Sequence, residues 1–112
     1  MYNYHNKVFR SAANSSNGEV STETFFKYTQ SGNIVTAVYS GGNIIKGSLI
    51  ALVDKEGKLD MRYQHINSNH QLMTGTCTST PQLLTNGKLQ LHEQWQWTCG
   101  DMSTGKSVIE EV

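Results

Sequence analysis

The stretch TFFKYTQSGNIVTAVYS, residues 24–40, holds the pattern that decides the fold. Apolar and polar side chains alternate on both sides of Gly32-Asn33, which is the spacing of a half-buried β-strand. A Gly-Asn pair between two such runs is typical of a two-residue hairpin turn, because Gly readily adopts the positive φ that the turn requires. This turn pairs Phe26 with Tyr39 and places both rings on the same face of the hairpin.

The same alternation recurs along the chain, and turn-forming residues interrupt it roughly every ten residues, as in all-β sandwiches and barrels. The pattern predicts eight strands, at residues 6–11, 24–30, 34–40, 44–53, 59–66, 71–79, 88–99 and 106–111. Their connections are short, apart from residues 80–87, which have room for a short helical turn. Closure of the sheet removes its two exposed edges. We therefore expect one all-β domain over residues 1–112, an eight-stranded antiparallel up-and-down barrel.

Turn lengths also predict which side chains face the barrel interior. A three-residue loop at residues 41–43 would pair Tyr39 with Ile45, and a five-residue loop at residues 54–58 would pair Ala51 with Met61. The predicted inward face consists of Phe26, Tyr28, Val35, Ala37, Tyr39, Ile45, Leu49, Ala51, Val53, Leu59, Met61, Tyr63 and His65. Three apolar residues fall on the outer face, where they could form a homodimer patch: Val38, Ile50 and Leu52.

The predicted strand at residues 88–99 places a carboxylate in the barrel interior. Leu89, Leu91, Glu93, Trp95 and Trp97 alternate with polar residues, so Glu93 points into the barrel. A buried carboxylate needs a partner. The candidates are Tyr hydroxyls or the hydroxyls of Thr74 and Thr76, a ligand's amine or hydroxyl, or an acid–base partnership with His65 or Tyr63.

Composition disfavours several other functions. Nine basic and nine acidic residues cancel, and no basic stripe carries interleaved aromatic residues, so nucleic-acid binding is not expected. No apolar run reaches the ~20 residues of a membrane span, and the first ten residues lack a signal-peptide core, which favours the cytoplasm. Cys77 and Cys99 are expected on paired strands too far apart for a disulfide, with Cys77 opposite residue 90 or 91. No spacing suggests a metal site, and no cofactor is expected.

Several stretches carry a family resemblance: LDMRY at residues 59–63, LMTG at 72–75 and LHEQWQWT at 91–98. They resemble small uncharacterised bacterial proteins that are often labelled automatically as N-acetylglutamate synthase. The resemblance implies a barrel similar to those of lipocalins and other calycins. An acetyltransferase would need a Gly-rich turn that opens a helix, whereas the glycines here mark hairpin turns. The sequence therefore does not favour that activity.

A barrel of eight strands is either filled by side chains or holds one small ligand. Small residues opposite aromatic ones, such as Gly47 and Gly75, fit both outcomes. Our leading hypothesis is non-catalytic binding of a small, partly apolar molecule in the lumen. The alternatives are a small acid–base enzyme that uses Glu93 with His65 or Tyr63, and a structural or interaction module. The candidate ligand-binding residues are Tyr28, Tyr39, Tyr63, His65, Glu93, Trp95 and Trp97.

Overall fold

The computed structural model describes residues 2–112, and eight β-strands make up most of them. The strands are β1 (Lys7–Asn14), β2 (Phe25–Ser31), β3 (Ile34–Gly41), β4 (Ile44–Val53), β5 (Leu59–Asn67), β6 (Leu72–Leu83), β7 (Leu89–Trp97) and β8 (Thr104–Glu111). Each strand pairs antiparallel with the next, and β8 returns to pair with β1. The prediction of a closed eight-stranded up-and-down barrel is confirmed. The described residues contain no helix long and apolar enough to span a membrane.

Two hairpin registers agree with the turn chemistry of the sequence. Phe26 lies opposite Tyr39 across the β2–β3 turn, where Gly32 has a φ of 61°. Ala51 lies opposite Met61 across the five-residue loop between β4 and β5. Because side chains alternate along a strand, these registers send the expected residues into the interior.

The register between β3 and β4 differs from the prediction. Tyr39 lies opposite Gly47 rather than Ile45, because the turn has two residues and a bulge shifts the pairing between Tyr39 and Gly41. A second irregularity lies between Ile44 and Lys46, where β4 pairs with β5. A bulge adds a residue to one strand and changes which side chain turns inward. Ile44 is therefore 2% exposed and Ile45 50% exposed, so the inward placement of Ile45 was wrong.

The connection between β6 and β7 is shorter than expected. Strand β6 continues through Pro81 to Leu83, and the turn that follows is closed by a hydrogen bond from the Leu84 amide to the Lys88 carbonyl. No helical turn forms there, and Cys77 lies opposite Trp95 instead of residue 90 or 91. Both cysteines are free thiols.

One end of the barrel is sealed by the N-terminal segment. The Tyr4 side chain is fully buried and its hydroxyl donates a hydrogen bond to the Gly57 carbonyl. Tyr28 packs against the Phe9 ring, with 4.8 Å between the ring centroids. These aromatic side chains pack into the core at this end of the barrel.

The outer face carries the apolar residues that the sequence placed there. Val38, Ile50 and Leu52 are 58%, 57% and 55% exposed. Their outward orientation is confirmed, and the homodimer patch remains a prediction. On the same outer wall, Arg62 forms an exposed ion pair with Asp60, at 2.7 Å.

Candidate functional site

The loop between β1 and β2, residues 15–24, lies across the end of the barrel opposite the Tyr4 seal. Asn17 fastens it to the β7–β8 side, because its side-chain amide donates to Ser103 Oγ at 3.0 Å and its carbonyl accepts from Trp97 Nε1 at 3.1 Å. The next residues along the loop, Gly18 to Val20, reach the lumen. This loop forms a partial cover, and a cavity lies beneath it.

The cavity offers about 50 Å³ to the centres of water-sized molecules, within about 480 Å³ of atom-free space that includes the part open to solvent. Its walls combine aromatic and aliphatic side chains with a few polar ones. It is lined by Asn14, Gly18, Glu19, Val20, Phe26, Tyr39, Leu49, Met61, Tyr63, His65, Cys77, Glu93, Trp95, Trp97 and Ser107.

Six of the seven candidate residues from the sequence line this cavity: Tyr39, Tyr63, His65, Glu93, Trp95 and Trp97. Tyr28 does not line it. Its ring is buried at the sealed end beside Phe9 and Tyr4. The Tyr28 hydroxyl has no hydrogen-bond partner among residues 2–112.

Aromatic rings form much of the wall, and three of them lie over glycines on the neighbouring strand. Tyr39 covers Gly47, Tyr63 covers Gly75 and Trp95 covers Gly105. A Cβ atom on Gly47 would lie 2.5 Å from the Tyr39 ring. The small residues thus make room for the aromatic rings to pack, which is one of the two outcomes that the sequence allowed. A cavity still remains between the aromatic side chains.

His65 joins the barrel wall to the covering loop. The residue is 3% exposed, and its Nε2 lies 2.7 Å from Glu19 Oε1. Because a carboxylate only accepts, Nε2 carries the hydrogen of this bond. The other ring nitrogen lies 2.9 Å from the Tyr39 hydroxyl, and the second Glu19 oxygen accepts from the Asn67 amide at 3.0 Å. Sequence reasoning missed Glu19, because the irregular loop gives no periodic signal.

Glu93 is half-buried and is held between two serines. One carboxylate oxygen accepts from Ser79 Oγ at 2.8 Å, and the other accepts from Ser107 Oγ at 3.0 Å. These serines lie directly opposite Glu93 on β6 and β8. They replace the expected Thr or Tyr partners, because the β6–β7 register differs from the predicted one. Burial raises the pKa of Glu93, and the two serine hydrogen bonds oppose that rise.

The other titratable groups do not complete an acid–base set by direct contact. Burial raises the pKa of the Tyr39 and Tyr63 hydroxyls well above 10, so they remain protonated. Within residues 2–112, no hydrogen bond joins Glu93 to His65 or Tyr63. The acid–base pairing remains a prediction. The same residues contain no group of three His, Cys, Asp or Glu side chains that could hold a metal ion.

Comparison with known proteins gives one family for this architecture. A family model described as "Avidin-like protein" matches residues 2–112. The chain belongs to the avidin-like protein family. An avidin-like, calycin-type barrel fits a role in binding a small ligand, and it agrees with the lipocalin-like architecture expected from the sequence. Neither the search of curated proteins nor that of solved structures gave a match. The family match does not test the N-acetylglutamate synthase label.

Proposed function

We propose that this avidin-like protein binds a small, partly apolar molecule in the barrel cavity and does not transform it. The observation that carries the proposal is a cavity whose wall joins aromatic rings to one half-buried carboxylate, Glu93. Ligand sites are usually concave and mostly apolar, with a few polar groups that fix the ligand's orientation. The cavity has this composition.

The hydrogen bonds around the cavity favour binding over proton transfer. His65 is engaged through both ring nitrogens, and Glu93 is engaged through both oxygens. A general base must reach the proton that it removes. Within residues 2–112, no hydrogen bond joins Glu93 to His65 or Tyr63, so no acid–base pair is in contact, whereas the free acceptor positions of Glu93 can orient a ligand.

Three probes with a common skeleton test the proposal: 3-phenylpropan-1-ol, 3-phenylpropan-1-amine and 3-phenylpropanoate. Both tryptophans of the chain line the cavity, so intrinsic fluorescence reports on occupancy. We expect at least one probe to bind saturably with one-to-one stoichiometry by fluorescence and calorimetry. Failure of all three to saturate would overturn the proposal.

A matched pair of variants locates the binding site. Val20 lines the cavity, whereas Val38 lies on the outer face. Val20→Phe should fill part of the cavity and weaken probe binding at least about tenfold. Val38→Phe adds the same side chain outside the barrel and should leave binding unchanged. Equal affinities for the two variants would place the probe elsewhere and contradict the proposal.

A further inference from the structure

The charged groups of the cavity are unbalanced. Two carboxylates line it, Glu19 and Glu93, and none of its lining residues in the described chain is Lys or Arg. His65 is the remaining basic group, and it is paired with Glu19 on the loop. Among residues 2–112, Glu93 therefore has no cationic partner.

The hydrogen bonds of Glu93 leave acceptor capacity free. A carboxylate offers about four acceptor positions. The neutral hydroxyls of Ser79 and Ser107 use one on each oxygen. Burying a charge without a countercharge is costly. The two serine hydroxyls offset this desolvation cost only in part, and a ligand cation at the free acceptor positions would offset more of it.

The rings near Glu93 suit a positive charge. Trp95 is the next inward-facing residue on β7, and Trp97 lies beside it with 5.5 Å between the ring centroids. Tyr63 lies 5.8 Å from Trp97 by the same measure. The face of an aromatic ring is electron-rich and attracts cations, and Trp does so most strongly.

We infer that the ligand of this cavity carries an organic ammonium group with at least one N–H, which binds Glu93 beside the Trp95 and Trp97 rings. The inference rests on the proposed function and specifies the chemical class of the ligand. The N–H donates to a free acceptor position on Glu93, and the ligand's apolar part lies against the aliphatic and aromatic wall. A ligand carboxylate at the same place would face the Glu93 carboxylate, which has no basic partner among residues 2–112.

The three phenylpropyl probes test the charge directly in the unaltered protein. By calorimetry at a pH where the amine is protonated, we expect the amine to bind at least about tenfold more tightly than the alcohol, with the carboxylate weakest. If the alcohol or the carboxylate binds as tightly as the amine, the ammonium inference is overturned while the proposed function stands. If no probe binds, the proposed function itself fails.

A fourth probe and a pair of variants identify the group responsible. N-(3-phenylpropyl)acetamide keeps the N–H but removes the charge, so it should bind no more tightly than the alcohol. Glu93→Gln should lower amine affinity much more than alcohol affinity, so that the two probes bind about equally well. Glu56→Gln alters an exposed turn carboxylate and should change neither. Unchanged amine affinity in Glu93→Gln would refute the assigned site. If that variant does not fold, the relative affinities of the probes for the unaltered protein still decide the ligand class.

Discussion

The carboxylate of Glu19 accepts a hydrogen bond of 2.7 Å from the His65 imidazole, although the two residues are 46 positions apart in the chain. Glu19 lies in the loop over the cavity, and His65 lies on the barrel wall. The same carboxylate also accepts from the Asn67 side chain. Glu19 therefore links the covering loop to β5 at two positions, His65 and the last residue of the strand, Asn67.

Removal of this carboxylate should loosen the cover while the barrel persists. In Glu19→Ala, we expect faster amide hydrogen exchange in residues 15–24 and little change in the strands, because local opening costs less than global unfolding. Probe dissociation, followed by stopped-flow tryptophan fluorescence, should accelerate several-fold. Glu23→Ala alters an exposed carboxylate of the same loop and should leave both rates unchanged. Identical exchange in the two variants would contradict the role given to Glu19.

Glu93 should make folding stability depend on pH. Burial raises its folded-state pKa, so its contribution to stability is fully present below the unfolded pKa and is lost as pH rises through the folded pKa. Glu93→Gln lacks this titration. The free energy of unfolding of the unaltered protein, relative to that of Glu93→Gln, should therefore fall as pH rises from the usual carboxyl range through the raised folded-state pKa of Glu93. Denaturant titrations at several pH values measure this difference, and a difference that rises with pH would contradict the assignment.

The glycine beneath Tyr39 should be intolerant of a methyl group. Gly47→Ala places a Cβ against the Tyr39 ring and 2.9 Å from the His65 Cβ, so the ring must move away from the hydrogen bond that it shares with His65. Overpacking of this kind costs about 1–3 kcal/mol. Lys46→Ala, at the neighbouring exposed position, should change the free energy of unfolding by less than about 0.5 kcal/mol. Denaturant unfolding compares the two, and equal effects would show that Gly47 is not a packing requirement.

Much of the barrel could be predicted because alternation and short turns constrain each other. The turn at Gly32 determines the pairing of Phe26 with Tyr39, and a slip of one residue would reverse a whole face. The same logic correctly places Trp95 and Trp97 in the interior. Periodicity and turn chemistry depend on residues close together in the chain, so a single sequence is enough to identify them.

The site itself was less accessible to sequence reasoning, for three physical reasons. Glu19 lies in an irregular loop, where no period indicates which side chain turns inward. Ser79 and Ser107 become partners of Glu93 only through long-range register, and the continuation of β6 through Pro81 altered the register expected there. The bulge at the β3–β4 turn depends on local backbone geometry, and the assumed three-residue loop at residues 41–43 therefore selected Ile45.

The bulge near Ile44 gives a direct test of the corrected register. Ile44 is packed in the core and Ile45 points outward, so truncation of these adjacent, identical residues should have very different effects. Ile44→Ala removes buried methyl and methylene groups and should lower the free energy of unfolding by about 2–5 kcal/mol, whereas Ile45→Ala should lower it by less than about 1 kcal/mol. Denaturant unfolding of both variants gives the comparison, with Lys46→Ala as the baseline for a surface change in the same strand. A larger loss for Ile45→Ala would restore the three-residue loop and place Ile44 outside the barrel.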